Sequence, residues 1–299
     1  MKTVSMIACV VAVSAILRPA FAQDEEIAGS LPPASLPSDA LPLGGVITYV
    51  GNEGVVIEYG PAKIAVDALY DDGLGDYVET PAAIHAAMVA GDDPFDGITD
   101  VFVTHAHKDH YGPAAITDYL TAHPDVYALV PADLKVEGEG RETPAQPVLK
   151  QVVPLAGRDG IASPLNHGAN FTWRFFQVPH GGRQHVVYWF ALPPFERSVA
   201  EAAGAGISEQ DLTILHLGDT DDYPEDLEPH RAAFAEHRTD VALVPFWLLD
   251  EPGLAELLNA DQLIGIHVPV MGSSSLDADT MDWFSDPGEQ RIIYKNMED

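Results

Sequence analysis

The stretch VFVTHAHKDHYG, Val101 to Gly112, constrains the fold more than any other part of this chain. An apolar β-type run leads straight into His105, His107, Asp109 and His110, and Pro113 then opens a helical pattern. These polar side chains therefore sit on a strand-to-helix loop, where α/β folds commonly place their sites. A His-x-His pair on a tight loop can aim two imidazoles at one ion. Asp109 and His110 follow after a turn and can face a second ion close by. A metal ion needs three or more protein ligands, with a position left open if the site is catalytic. The run supplies only part of such a shell, so further ligands must come from elsewhere.

Three candidates stand at the ends of other β-type runs. FFQVPHGG carries His180, LTILHLGDT carries Asp219 and LIGIHVPV carries His267. Side chains at the carboxyl ends of several strands can converge on one cleft.

The rest of the pattern fits that arrangement. VITYV, GVVIEYG and KIAVDALY, broken by turn signals, read as an antiparallel meander. TPAAIHAAMVAG reads as a helix with Thr80 as N-cap, Pro81 at its first position and Gly91 at its end. ITDVFVTHAH and DVYALVP are strands flanking the helix PAAITDYLTAH. FTWRFFQVPH, HVVYWFAL, LTILHLGD, DVALVPFWL, LIGIHVPV and RIIYK are further strands, and PEDLEPHRAAFAEHR and GLAELLNA are helices. Residues 193–210 read as an insertion. Two halves, each with several strands followed by strand–helix units, predict an α/β four-layer αββα sandwich of two mixed sheets flanked by helices. No composition break divides residues 45–299, which read as a single domain.

The N-terminus reads differently. Lys2, the apolar run Val4–Leu17 and Ala20-Phe21-Ala22 have the layout of a secretory signal peptide, with cleavage expected after Ala22. The run of 14 residues is short of the roughly 20 that a spanning helix needs. A periplasmic or secreted protein is expected, with no membrane attachment after cleavage. Residues 23–44, rich in Pro, Ser, Ala and acids, read as a linker or arm. The one cysteine, Cys9, lies inside the signal, so the mature chain has no thiol ligand or nucleophile. Formal net charge is −31, and loss of Lys2 and Arg18 with the signal makes it −33. Such a surface repels phosphate backbones and anionic lipid, which argues against nucleic acid as a partner and for a small-molecule substrate.

The run THAHKDH, followed by His180, the GDT of Asp219 and His267, resembles the metallo-β-lactamase-fold superfamily of metal-dependent hydrolases. The resemblance covers nearly all of the chain after the arm. It implies two Zn2+ per chain, with Fe or Mn as alternatives, between the two sheets. Residue by residue, it implies His105, His107 and His180 on the first metal, Asp109, His110 and His267 on the second, and Asp219 bridging them. KIAVDAL resembles the family's first motif and implies Asp67 as a residue orienting the histidine loop. The implied activity is hydrolysis of a small ester, lactone, thioester or phosphodiester by a metal-bridging hydroxide, with Asp109 moving a proton. The true β-lactamases of this fold either use Cys where Asp219 stands or lack a bridging carboxylate there. The resemblance is therefore to the bridging-Asp branches, and β-lactam cleavage is not expected. Two other readings remain: a mononuclear iron oxygenase on the same fold, and a non-catalytic binding protein that keeps the site.

His216, three positions before Asp219, is a candidate supporting residue. Lys108 and Arg183, basic residues beside the site, and His185 at its expected mouth are candidate substrate contacts. Phe246 or Trp247 is expected near the pocket rim. His85, His123, His230 and His237, in or beside expected helices, and His167 in a loop read as packing or surface residues.

Overall fold

The computed structural model describes residues 44–70, 73–135, 146–194, 207–221 and 225–295. The expected signal peptide, nearly all of the arm and most of the 193–210 insertion lie outside the described residues.

The chain begins with the meander: β1 (Gly44–Gly51), β2 (Gly54–Tyr59) and β3 (Ala62–Val66), paired antiparallel. Then β4 (Asp100–Phe102), β5 (Tyr127–Pro131) and β6 (Val152–Leu155) add in parallel. Helix α1 (Ala82–Ala90) precedes β4 and α2 (Pro113–Ala122) precedes β5. The last strand, β13 (Gln290–Tyr294), returns to β1, giving a seven-stranded sheet in the order β13-β1-β2-β3-β4-β5-β6.

The second sheet has six strands: β7 (Asn166–His167), β8 (Thr172–His180), β9 (Arg183–Leu192), β10 (Leu212–His216), β11 (Thr239–Pro245) and β12 (Ala260–Ile266), in the order β12-β11-β10-β9-β8-β7. The β8–β9 and β9–β10 pairs are antiparallel and β10–β11–β12 are parallel. Short helices α3 (Arg231–Phe234) and α4 (Leu254–Leu257) pack on its outer face.

Strand alternation sorts the side chains into layers. In β9, Val186, Tyr188, Phe190 and Leu192 enter the core between the sheets, and Val187, Trp189 and Ala191 join the outer core with Leu254 and Phe234. In β3, Ile64 and Val66 face inward, while Ala65 meets Ile84 and Met88 of α1. Phe102 ties the sheets together, its ring 4.8–6.0 Å from those of Phe171, Trp173, Tyr188 and Phe190. The result is the αββα sandwich of two mixed sheets.

Several local expectations are corrected. Thr80 is not the N-cap of α1; Pro81 holds that position, and the Thr80 N–H donates to Tyr70 Oη at 2.7 Å. Gly91 ends the helix with left-handed backbone, φ 67°. The helix expected through PEDLEPHRAAFAEHR shrinks to a 3-10 turn, Glu228–His230, and the single turn of α3, because Pro229 falls inside it. The strand ITDVFVTHAH leaves the sheet after Phe102. The Val186 N–H then donates to Thr104 O at 2.9 Å, which turns the chain toward the second sheet and releases His105 between the layers. Strands β6 and β7 were not anticipated.

Candidate metal centre

Asp67, His105, His180, Asp219 and His267 all lie at the carboxyl ends of strands, at one end of the sandwich. Asn52, Asp67 and His267 adopt left-handed backbone, φ 48°, 46° and 59°, which non-glycine residues rarely do. Such strain clusters where a structure holds functional side chains. Gly218, φ 57°, meets a second constraint: a Cβ there would lie 2.3 Å from His185 Nε2 and 2.9 Å from Thr104 Cβ. Only glycine lets the backbone deliver Asp219 past those side chains.

All seven side chains expected to surround metal come together. In the first group, His105 Nε2 lies 2.7 Å from His107 Nδ1 and 3.5 Å from Asp219 Oδ2. His180 Nε2 lies 3.2 Å from His107 Nδ1 and 3.9 Å from Asp219 Oδ2. A tetrahedral ion with bonds of about 2.0–2.1 Å holds its ligands about 3.3 Å apart, so these four atoms fit one. In the second group, Asp219 Oδ1 lies 3.2 Å from His110 Nε2 and 3.0 Å from His267 Nε2. Asp109 Oδ2 lies 3.6 Å from each of those nitrogens. Asp219 thus turns one oxygen to each group.

The hydrogen bonds around the centre run mostly to the outward atoms, with one long contact of 3.4 Å from Asn52 Nδ2 to the inward Asp109 Oδ2. Asp67 accepts from the Thr104 N–H at Oδ1, and from Thr104 Oγ1 and His110 Nδ1 at Oδ2. Because the Thr104 hydroxyl gives its hydrogen to Asp67, it accepts from His105 Nδ1, 3.1 Å away. One carboxylate therefore sets two histidine tautomers, with the Nε2 lone pairs aimed inward. His180 Nδ1 donates to Asp221 Oδ2 at 2.8 Å, with the same effect. Asp109 Oδ1, His110 Nε2 and Asp219 Oδ1 are buried and have no hydrogen-bond partner. Lone pairs converging in a buried space without a donor fit a cation, and the group is therefore suited to metal.

Electrostatics follow from the crowding. Burial, then the neighbouring His110, hold His105 well below the usual imidazole range. Burial pushes Asp219 up, but the neighbouring imidazoles of His110 and His267 outweigh it and hold the carboxyl well below its ordinary range.

His216 is fully buried and already satisfied: its Nε2 donates to Glu53 O at 3.0 Å and its Nδ1 accepts from the Gly218 N–H. It supports the Gly218 turn. His185 does not reach the mouth of the site. It is fully buried behind the first group, its ring 5.3 Å from that of His105 and 5.4 Å from that of His180. The reason is register. The two-residue Gly181-Gly182 turn pairs His180 with Arg183 and Val178 with His185, which sets His185 on the same face of the hairpin as His180. Arg183 Nη1 donates to Ala106 O at 3.1 Å and braces the His105–His107 loop, while Lys108 is exposed. Trp247 flanks His267 at 5.3 Å between rings, and Tyr77 meets the same imidazole edge-on at 3.8 Å. Of the histidines read as packing or surface residues, His123 hydrogen-bonds the last carbonyls of α1, His230 is buried against Phe176, and His167 is exposed.

Sequence reasoning missed Asn52, Glu53, Tyr77 and Asp221. Asn52 Nδ2 donates to Asp109 O at 2.8 Å, and Asn52 O accepts from the His267 N–H at 3.0 Å. Glu53 is fully buried beside His110. Burial, then the Asp219 carboxylate, push its carboxyl well above the ordinary range.

The fold and this centre define a class, and comparison with known proteins agrees. Residues 63–294 match the family model described as a beta-lactamase superfamily domain. The chain belongs to that family. The described residues are similar in fold to a metallo hydrolase from the hyperthermophilic archaeon Ignicoccus hospitalis, at 15% identity and TM-score 0.51, covering 83% of this chain and 97% of that one. They are similar as well to a protein of Veillonella parvula described as a possible metal-dependent hydrolase, at 13% identity and TM-score 0.52, covering 83% and 99%. No curated protein matches the sequence.

Proposed function

We propose that this chain is an exported dinuclear-metal hydrolase acting on a small ester, lactone, thioester or phosphodiester. The observation that carries the reading is Asp219, whose Oδ2 faces His105, His107 and His180 while its Oδ1 faces His110 and His267. His105, His107 and His180 would hold one ion, Asp109, His110 and His267 the other, and Asp219 both. Two such ions, when bound, lower the pKa of water toward neutrality and take up charge developing on substrate oxygen.

The protein's own contribution is orientation. Asp67 and Asp221 fix the donor hydrogens of His105, His110 and His180 outward, so the basic nitrogens point inward. Asn52 holds Asp109 from behind, leaving Asp109 Oδ1 open to accept a proton from the attacking water and return it to the leaving group. Arg183 and Lys108 lie beside the histidine loop, Arg183 as its brace and Lys108 as an exposed charge for an anionic substrate. Export rests on residues 1–22. Among the described residues no helix is long and apolar enough to cross a membrane.

The test is a hydrolysis panel on protein of measured metal content, with Asp219→Ala alongside. Turnover of at least one ester, lactone, thioester or phosphodiester is expected, with a loss of about a hundredfold or more in the variant. Equal activity of the variant would remove Asp219 from the mechanism. About one iron and no zinc per chain would favour the oxygenase reading. Intact metal with no turnover across the panel would favour a binding protein.

A further inference from the structure

Among the described residues, Glu53 is a fully buried carboxylate beside the two ligand groups that the proposed chemistry leaves unused. Four carboxylates are withdrawn from water here: Glu53, Asp67, Asp109 and Asp219, none more than 7% exposed. Asp67 is satisfied by three donors. Asp109 and Asp219 face the two ligand groups. Glu53 is 0% exposed, and neither of its oxygens has a hydrogen-bond partner. Its Oε2 lies 3.6 Å from His110 Nδ1, but that nitrogen's hydrogen already goes to Asp67. His216 has both ring nitrogens engaged, one of them on the Glu53 carbonyl itself. A buried carboxyl without donors carries negative charge only beside compensating positive charge, such as a cation. One ligand atom from each of Glu53, His110 and Asp219 falls within 4.8 Å of the others.

The placement of Glu53 is rigid. It lies in the turn between β1 and β2, next to Asn52 with its left-handed backbone. Asn52 bonds Asp109 through its side chain and His267 through its carbonyl. The same turn thus touches Asp109, His110 and His267, and it precedes the stretch matched by the family model.

We propose that Glu53 is a positioning residue that sets the affinity of the second cation site, that of Asp109, His110 and His267, by adding a further negative charge beside His110 and Asp219. With neutral imidazoles, the four buried carboxylates balance two divalent cations. This inference rests on the two-cation reading above.

The experiment is a Zn2+ titration of the metal-stripped full-length chain, wild type against Glu53→Gln and Glu53→Asp, repeated with Co2+ so that the visible spectrum reports each site. Wild type is expected to bind two ions. Glu53→Gln is expected to keep the first affinity and lose about tenfold or more at the second. Glu53→Asp, which keeps the charge, is expected to recover most of that loss. Without metal, Glu53→Gln is expected to melt close to wild type, since the amide matches the carboxyl in size and takes no donor away from it. Wild-type affinities in Glu53→Gln would overturn the inference. So would equal losses in both variants, which would make the residue a space-filler, or a metal-free Glu53→Gln chain that fails to fold. Fewer than two ions on the wild type would instead bring down the two-cation reading, and this inference with it.

Discussion

Asp221 Oδ2 lies 2.8 Å from His180 Nδ1, a hydrogen bond that joins a half-exposed loop carboxylate to a buried imidazole of the first ligand group. The bond fixes which nitrogen of His180 is free, and a carboxylate behind a ligating histidine raises its basicity. Asp221→Ala is expected to weaken first-site Zn2+ binding by about 10–100-fold while leaving the second site unchanged. Competition with a chromophoric chelator measures both. Unchanged first-site affinity would reduce Asp221 to a surface residue.

Gly218 makes a sharper steric prediction. A methyl group there would meet His185 Nε2 at 2.3 Å, on a backbone at φ 57°. Gly218→Ala is expected to destabilise the protein by about 2–4 kcal/mol and to lower metal content, because Asp219 follows directly. Adding His185→Ala should restore part of the stability by removing the clash, and the double-mutant cycle measures that coupling. Strict additivity of the two changes would contradict the geometry.

Asn52 contributes differently, through hydrogen bonds. Its side chain holds Asp109 O at 2.8 Å and Asp109 Oδ2 at 3.4 Å. Asn52→Ala is expected to cost about 1–2 kcal/mol in thermal or denaturant unfolding. It should also lower kcat more than it raises KM, because it loosens Asp109 rather than a substrate contact. A KM effect alone would argue against that placement.

Buried tyrosines set the alkaline limit of stability. Burial pushes Tyr70 up to about 12, and Tyr49 and Tyr188 are raised by the same cause. A phenol raised in the folded state contributes its stabilisation in full below the unfolded pKa near 10, and loses it as pH rises through the folded value. Melting temperature is therefore expected to fall between pH 10 and 12, together with a cooperative rise in tyrosinate absorbance. Phenol titration near pH 10 with no loss of structure would contradict the burial of these rings.

Much of this centre could be read in the letters, because the chain marks its strand ends plainly. His105, His180, Asp219 and His267 each close an apolar run, and the sandwich brings such ends together. The turn residues could not be read that way. Asn52 and Glu53 look like the polar tip of a solvent-exposed hairpin, and they are buried because segments distant in sequence, carrying Val78, Asp109, His216 and His267, close over that tip. The position of His185 was legible in principle, since the Gly181-Gly182 turn fixes a two-residue register that sets it on the same face as His180. Pro229 likewise announced the break in the expected helix. Asp221 carried no signal, as the second of three acids in the stretch GDTDD reads as solvated charge.

The central claim is a pair of cations sharing Asp219. Anomalous diffraction from crystals of Zn2+-loaded protein tests it most directly. The account predicts two peaks, one among His105, His107 and His180 and one among Asp109, His110 and His267, with an Asp219 oxygen on each. A single peak, or metal bound without Asp219, would contradict it.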